Sequence, residues 1–233
     1  MADDDKTKLI TRLKLSDQVF DKLWQMIADG DLSPGDFMPS ERSLMERFGV
    51  GRPAVREALQ SLANKGVITI SHGERSRVNE LSASNALHQI EDIAKLLLSS
   101  EPDNIEHLKN ARKLLEYGIA RLAAPRCTSA DAADLRALID KQRKCVNDSE
   151  RFIEMDIAFH MRIAEIAGNP ILLAVSKATL TWLFEYYRPL LYWEGREVTT
   201  LIEHSHVVDA LEMQDEEAAV AAMRQHLNRL DAA

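Results

Sequence analysis

The sequence predicts a mainly α-helical protein with one small β element, divided into two domains. Apolar residues recur three and four positions apart through most of the chain, and the β-branched run at residues 67–70 is the main exception. The net charge also changes sign. Residues 40–79 carry seven Lys or Arg against four Glu, whereas residues 81–233 carry seventeen Lys or Arg against twenty-four Asp or Glu. We therefore expect a disordered tail (1–14), a small basic domain (15–80) and a larger, acidic, all-helical domain (82–233).

The composition excludes several classes of protein. The two cysteines, Cys127 and Cys145, lie 18 positions apart with no CxxC pattern, so we expect neither a disulfide framework nor a structural zinc knot. No run of about 18 apolar residues is present, and residues 1–8 lack the basic start and apolar stretch of a secretory signal. We expect a cytoplasmic protein that has no membrane partner.

Three helices are predicted in the first domain. The first runs from an N-cap at Ser16 to Gly30, and the second from Ser40 to Gly49. The third opens at Arg52-Pro53, where proline suits the first turn, and ends at Lys65-Gly66. Two helices joined by a short turn that contains glycine form a helix-turn-helix candidate.

A two-stranded wing is predicted to follow, with residues 67–70 as one strand and Arg77-Val78 as the other. Arg52 and Arg56, one turn apart on the third helix, are suited to reading base edges in a major groove. Arg42 is suited to holding a phosphate. The alternative is that these arginines are solvated surface residues, with Arg56 paired to Glu57 or Glu46.

One stretch of the chain carries a family resemblance. Residues 39–66 read PSERSLMERFGVGRPAVREALQSLANKG and are followed by the wing. This run resembles the DNA-binding domain of the GntR-type bacterial transcription regulators. The resemblance implies binding to double-stranded operator DNA with palindromic or repeated half-sites. It also implies contacts from Ser40, Arg42, Arg52, Ala54 and Arg56, and from His72 and Gly73 at the wing tip in the minor groove.

The second domain is predicted to be all helical, with a bundle that can enclose a ligand between helices. Breaks fall at Gly, Pro, Asn and Asp positions. The expected helices span residues 84–100, 104–125, 129–147, 150–167, 170–190, 197–213 and 216–230.

Four side chains of this domain form a candidate divalent metal site. Asp156 and His160 are four residues apart and share a helix face. His204 and His226 lie on either side of a turn predicted midway between them, so a hairpin would bring them to the same height. Three imidazoles and one carboxylate suit zinc, nickel or a similar ion.

Two alternatives to this site remain open. Asp156 and His160 alone are more typical of a helical pair without a metal. His206 competes with His204 as a ligand, although residues two positions apart on a helix point to different faces.

A second resemblance covers the candidate site. Residues 156–172 (DIAFHMRIAEIAGNPIL) and 203–211 (EHSHVVDAL) resemble the FCD ligand-binding domain of the FadR branch of GntR regulators. The resemblance implies a divalent metal, with zinc expected and nickel or manganese as alternatives, at Asp156, His160, His204 and His226. It also implies that Arg112 and Asn169 bind a small carboxylate or sugar-acid effector. The alternative for Arg112 is a helix-surface ion pair with Glu116, four residues on.

Together these expectations describe a homodimeric transcription regulator, most simply a repressor that its effector releases from DNA. A dimer is expected because one recognition helix reads only a half-site. The wing sequence is closest to family members that respond to sialic acid, a sugar acid. The alternatives are a metal-dependent hydrolase with Glu165 as its base, and a regulator that senses the metal directly.

Overall fold

The computed structural model of the protein shows two compact units, residues 1–85 and 86–233, each with its own apolar core. The mainly helical fold class with one small β hairpin is confirmed. Among the described residues, no helix is both long and apolar enough to cross a membrane. The structure describes residues 14–71, 75–80, 82–101, 103–186 and 196–228.

Three helices build the N-terminal unit, and the predicted helix-turn-helix is present. Their fully buried apolar side chains meet in one core, so the second and third helices are held firmly against the first. Leu23, Leu44, Val55 and Leu62 are all 0% exposed. The helices are α1 (Leu15–Ala28), α2 (Glu41–Phe48) and α3 (Arg52–Asn64).

The predicted start of α1 is wrong by two residues. Lys14, at the edge of the expected tail, is the N-cap residue, and its carbonyl oxygen already accepts the amides of Asp17 and Gln18. Ser16 is buried inside the first turn instead of capping the helix. The packing of the helix therefore outweighs the capping preference of serine.

The connection between α2 and α3 follows capping rules closely. The Ser40 hydroxyl oxygen accepts a hydrogen bond from the Ser43 amide at 3.1 Å and so begins α2. Gly49 ends α2 with φ of 65°, in the left-handed region that favours glycine. Gly51 is the N-cap residue of α3, with Pro53 in its first turn. Only residues 49–51 separate the two helices.

The wing consists of two short antiparallel strands, β1 (Ile68–Thr69) and β2 (Arg77–Val78). Ile68 pairs with Val78, and Thr69 with Arg77. The first strand is shorter than the predicted 67–70 because the Val67 amide bonds back to the Leu62 carbonyl of α3. Residues 72–74 lie outside the described residues.

The C-terminal unit is helical throughout its described part, as predicted. The expected helix 84–100 is instead two helices that meet at Ile90, and the helix expected to reach residue 147 ends at Arg143. A 3-10 turn, Ala124–Arg126, follows α6. The helices are α4 (Ala83–Gln89), α5 (Glu91–Ser100), α6 (Asp103–Ala123), α7 (Ser129–Arg143), α8 (Ser149–Ile166), α9 (Pro170–Tyr186), α10 (Glu197–Glu212) and α11 (Glu216–Asn228).

The core of this unit lies where α6, α7, α8, α10 and α11 meet. The helices α10 and α11 form a hairpin that turns at Gln214, whose φ of 55° reverses the chain. Phe159 and Ile163 of α8 and Leu211 of α10 are fully buried in this core. A polar side chain on the inner face of any of these five helices is therefore surrounded by the core and shielded from water.

Candidate functional site

A buried cluster of four polar side chains lies inside the C-terminal unit. Asp156, His160, His204 and His226 each offer one ligand atom, and these atoms all lie within 4.8 Å of one another. Their exposed fractions are 1%, 0%, 0% and 2%. These are the four residues that the sequence predicts as a metal site, and we call them the histidine cluster.

The local geometry of the helices explains how the cluster assembles. Asp156 and His160 lie one turn apart on α8, with 3.8 Å between Asp156 Oδ2 and His160 Nε2. The hairpin brings His204 of α10 and His226 of α11 together, with 4.6 Å between ring centroids. His206 is exposed, so the structure separates it from the cluster that contains His204.

Each histidine of the cluster is held through its Nδ1 atom by an acceptor from a neighbouring helix. His160 Nδ1 lies 3.2 Å from Glu116 Oε2, and His226 Nδ1 lies 3.1 Å from Glu203 Oε2. His204 Nδ1 lies 3.0 Å from Gln142 Oε1, while Gln142 Nε2 donates to Asp156 Oδ1 at 3.2 Å. Because carboxylate and amide oxygens only accept, Nδ1 is the protonated nitrogen in all three rings.

This tautomer leaves every Nε2 atom with a lone pair for binding a cation. His204 Nε2 lies 3.3 Å from Asp156 Oδ1, so two acceptor atoms face each other in a buried site. Asp156 Oδ2 has no hydrogen-bond partner among the described residues. Facing acceptors in a buried site are stabilised by a proton or a metal ion between them, and three imidazole nitrogens with a carboxylate are a donor set that divalent ions such as zinc accept.

The partners Glu116, Gln142 and Glu203 were not predicted as parts of the site. They lie on α6, α7 and α10, and two of them are far from the cluster residues along the chain. Only Glu203, adjacent to His204, had a local signal, although it orients His226 rather than its neighbour. Spacing along a single helix does not reveal a partner on another helix.

Arg112 of α6 reaches the same cluster. Its Nη2 atom lies 3.3 Å from His160 Nε2, and its guanidinium lies over the Phe184 ring at 5.7 Å. Arg112 is only 3% exposed, and its Nε has no hydrogen-bond partner among the described residues. The alternative of a surface ion pair with Glu116 is therefore wrong, since both side chains are buried.

Glu116 lies between His160 and Arg112, and both neighbours favour its ionised form. Burial opposes the charged form, but the electrostatic attraction of the His160 ring, the hydrogen bond from its Nδ1 and the Arg112 guanidinium together outweigh burial. The pKa of Glu116 therefore lies below its ordinary value. Its ionised carboxylate also accepts a hydrogen bond from the Ser176 hydroxyl at 3.1 Å.

Two other residues from the sequence analysis lie on the surface. Asn169 is exposed, and its Oδ1 accepts the amides of Ile171 and Leu172, so it caps the start of α9. Its contacts support a structural role, and its predicted role with an effector stays a prediction. Glu165 is half-exposed and pairs with Arg162 at 3.0 Å, apart from the buried cluster.

In the N-terminal unit the predicted DNA-contact residues lie on an exposed face. The side chains of Arg52 and Arg56 are 61% and 64% exposed, on the first two turns of α3. Ser40 and Arg42 are also exposed, and Ala54 is half-buried. The predicted wing-tip contacts, His72 and Gly73, lie outside the described residues.

The expected ion-pair partners of Arg56 are wrong. Arg56 Nε bonds Glu41 Oε1 at 2.8 Å, and Arg52 Nε lies 3.1 Å from Glu41 Oε2. Glu46 pairs instead with Arg42 at 3.0 Å within α2. Glu57 and Glu46 lie nearer to Arg56 in the sequence than Glu41, which is fifteen positions away.

Cations also surround the base of the wing. The guanidinium groups of Arg75 and Arg77 lie 5.1 Å and 4.3 Å from the centre of the Phe37 ring. Arg77 also donates to the Gly35 carbonyl at 3.0 Å. The unit thus combines a helix-turn-helix, a small wing and a row of exposed arginines.

A helix-turn-helix unit followed by a helical unit with a buried histidine cluster defines a two-unit DNA-binding transcription regulator. Residues 15–78 match the gntR family of bacterial regulatory proteins, and residues 107–229 match the FCD domain family. The chain belongs to the GntR family and carries an FCD domain. It is a regulator and not an enzyme, so the hydrolase alternative is wrong.

Relatives of known name agree with this assignment. The HTH-type transcriptional repressor NanR of Cronobacter sakazakii is 38% identical over 94% of this chain and 85% of its own length. The repressor of the same name from an Enterobacter species is 37% identical over 96% of this chain and 86% of its own length. A solved structure of a Streptococcus agalactiae GntR protein has a TM-score of 0.66 at 23% identity, covering 94% of this chain and all of that one. This last likeness supports the fold.

Proposed function

We propose that the protein is a homodimeric transcriptional repressor that acts in the cytoplasm. In this proposal residues 15–80 bind a palindromic or repeated operator in double-stranded DNA. Residues 82–233 bind a divalent metal, most simply zinc, and a small carboxylate or sugar-acid effector. Binding of the effector releases the DNA. The names of the relatives support the repressor role.

The DNA-binding part of the proposal rests on the exposed arginines of the helix-turn-helix. Arg52 and Arg56 lie where a recognition helix contacts base edges. Arg42, with the hydroxyl of Ser40, lies at the start of α2, where phosphates are bound. We assign Ala54 to apolar contact with a base, and His72 and Gly73 to the minor groove by family resemblance.

The observation that carries the metal proposal is the orientation of the three imidazoles. Glu116, Gln142 and Glu203 hold the Nδ1 atoms, so the Nε2 atoms are left to share a cation with Asp156. Acceptors that hold metal-binding histidines in this way fix both the tautomer and the ring orientation. The convergence of the four ligand atoms within 4.8 Å, with Asp156 Oδ2 unpartnered among the described residues, distinguishes this cluster from histidines that are merely packed.

Arg112 connects the metal to the effector in this proposal. A bound divalent cation would supply positive charge that attracts the acid group of the effector. Arg112 Nη2 now donates to the lone pair of His160 that a cation would use. Giving up this contact frees the guanidinium to bind a carboxylate in two-pronged fashion.

A second copy of the chain is the proposed partner of an exposed apolar face on α5. Ile93, Leu96 and Leu97 recur three and four positions apart and point to solvent. A second copy is the occupant we propose, because the operator proposal needs a twofold pair of recognition helices. Sedimentation should show a dimer that Leu96→Glu converts to monomer, while Met213→Glu, at another exposed apolar residue, should leave the dimer intact.

Effector release works as linkage between two binding sites. An effector that prefers a form of the dimer unable to bind DNA weakens DNA affinity by the same factor by which DNA weakens effector affinity. Such couplings are typically about 1–3 kcal/mol, or roughly 5- to 150-fold. The size of the change in operator affinity therefore measures the coupling directly.

Elemental analysis tests the metal site. The protein purified without added metal and then exposed to zinc should hold about one ion per chain. A His160→Ala, His204→Ala variant should hold none. The matched control is His206→Ala, which removes an exposed histidine two residues from His204 and should keep the full content. Full zinc content in the double variant would contradict the proposed site.

Gel-shift titration tests the effector. Operator fragments selected from genomic DNA are titrated with a panel of small acids, including sialic acid, with and without zinc. We expect one acid to weaken binding and Arg112→Ala to abolish the effect, while Arg121→Ala on the same helix does not. A panel with no active acid would reject this part of the proposal. A change caused by zinc alone would favour direct metal sensing.

A further inference from the structure

Glu41 connects the two helices of the helix-turn-helix through a pair of arginines. Its Oε2 lies 3.1 Å from Arg52 Nε, and its Oε1 accepts from Arg56 Nε at 2.8 Å. The Glu41 side chain is 30% exposed, about half the exposure of either arginine. One carboxylate of α2 is therefore shared by the two cations of α3 that face outward.

Elementary electrostatics explains what this shared carboxylate does. Arg52 and Arg56 lie one turn apart, where two like charges repel each other. A carboxylate between them offsets the repulsion and orders two long side chains, which would otherwise lose rotamer freedom when they bind DNA. Because the close contacts of Glu41 are to the Nε atoms, the terminal nitrogens of each guanidinium stay available for a bidentate contact.

The surroundings of Glu41 set it apart from the other acidic residue of α2. Glu41 and Arg56 line an open cleft of about 450 Å³ between α2, α3 and the residues Ile70, Ser71, Arg75 and Ser76. Glu46, in contrast, pairs with Arg42 along the surface of α2, and both of these side chains are more than two-thirds exposed. Such surface pairs have little influence on conformation. Of these two glutamates, Glu41 is the one whose ion pairs join α2 to α3.

We propose that Glu41 is a positioning residue for sequence selectivity. It holds Arg52 and Arg56 in the orientation that reads base edges, and its negative charge lowers the affinity for phosphates in arbitrary DNA. Selectivity thus rises through both effects. The inference rests on the proposed DNA contacts of the two arginines and adds to them the residue that orders both.

The test compares binding to two DNA duplexes. A site is selected from a random duplex library with the wild-type protein, and dissociation constants are measured by fluorescence anisotropy for that site and for a scrambled duplex. Glu41→Gln should bind the scrambled duplex more tightly, because one repulsive charge is gone. The ratio of specific to scrambled affinity should fall about fivefold or more, as expected when an arginine contact to a base is disordered.

Glu46→Gln is the matched control, because it removes the same charge from the same helix. Both of its dissociation constants should change by the same factor, and the ratio should stay at the wild-type value. If Glu41→Gln also leaves the ratio unchanged, the positioning role is overturned. A purely structural role would lower the melting temperature without changing the ratio.

A second variant covers the case in which Glu41→Gln does not fold. Glu41→Asp keeps the charge in the first turn of α2 but is too short to reach both arginines, so the ratio should fall without tighter scrambled binding. A wild-type ratio in Glu41→Asp overturns the inference. If Arg52→Ala and Arg56→Ala also keep the wild-type ratio, the proposed DNA contacts themselves are wrong. If the arginine variants lower the ratio and the Glu41 variants do not, the positioning role of Glu41 is wrong and the proposed DNA contacts stand.

Discussion

The arginines proposed to contact DNA lie on the surface of the N-terminal unit, whereas the histidines proposed to bind a metal are fully buried in the C-terminal unit. Arg52 and Arg56 share a single carboxylate and remain open to solvent. His160, His204 and His226 each have a separate acceptor behind the ring. The first site is held by its own two helices, while the second needs seven side chains from five helices and the core around them.

We therefore expect substitutions at the two sites to have different effects. An exposed arginine contributes little to folding, so its loss should change binding alone. A buried polar cluster is integrated with the core, so substitutions near it should change stability as well as ligand affinity.

The largest expected effect is on the free energy of unfolding of the C-terminal unit, which holds the histidine cluster. Phe159 is fully buried and stacks on His204, with 3.9 Å between ring centroids. Phe159→Ala should lower the free energy of unfolding of the C-terminal unit by about 3–5 kcal/mol, because the cavity cannot collapse. Hydrogen exchange of the α8 amides measures this unit alone. Phe37→Ala, at a partly exposed ring of the other unit, should cost under about 1 kcal/mol in its own unit. Equal losses of unfolding free energy in the two variants would contradict the expectation that the buried site is more sensitive to substitution than the exposed one.

The next effect concerns the acceptors behind the imidazoles. Glu116→Gln and Glu203→Gln should each lower zinc affinity about 10- to 100-fold, because an amide orients and polarises the ring less well than a carboxylate. Competition with a chelating dye measures the affinity. Glu165→Gln, at an exposed carboxylate of α8, should have no effect. Unchanged affinity in both buried variants would mean that the acceptors only fill space.

A smaller effect is expected at the DNA face. Arg52→Ala should cost about 1–3 kcal/mol for the selected site and relax the preference at one base pair. Arg42→Ala should weaken binding to all duplexes alike and reduce the salt slope by about one. Anisotropy titrations at several salt concentrations separate the two patterns. Neither variant should change the melting temperature, and the reverse pattern of binding would exchange the two roles.

Much of the N-terminal unit was predictable because its signals are local. Ser40, Gly49 and Pro53 determine helix ends through their own backbone preferences, and the turn they enclose is three residues long. The N-cap predicted at Ser16 was wrong because the packing of α1 outweighs the capping preference of serine. The bridge through Glu41 joins residues eleven and fifteen positions apart in sequence, and no periodicity reveals such a contact.

The four cluster residues were predictable for a different reason. Asp156 and His160 follow the helical repeat, and the turn at Gln214 fixes the height of His204 against His226. Glu116, Gln142 and Glu203 could not be predicted, because their positions depend on how whole helices rotate against one another. That rotation is set by the packing of many apolar side chains rather than by any short motif.

The smallest effect is expected from removing a helix N-cap in each of the two units. Ser40 begins α2 and is also assigned to DNA, whereas Thr128 begins α7 through a capping box with Asp131. Ser40→Ala and Thr128→Ala should each lower the stability of their own unit by about 1 kcal/mol, because each leaves a backbone amide without its acceptor. Only Ser40→Ala should also weaken binding to both duplexes in anisotropy titrations. If it costs stability but no DNA affinity, Ser40 is a cap alone, and the DNA face is reduced to its arginines.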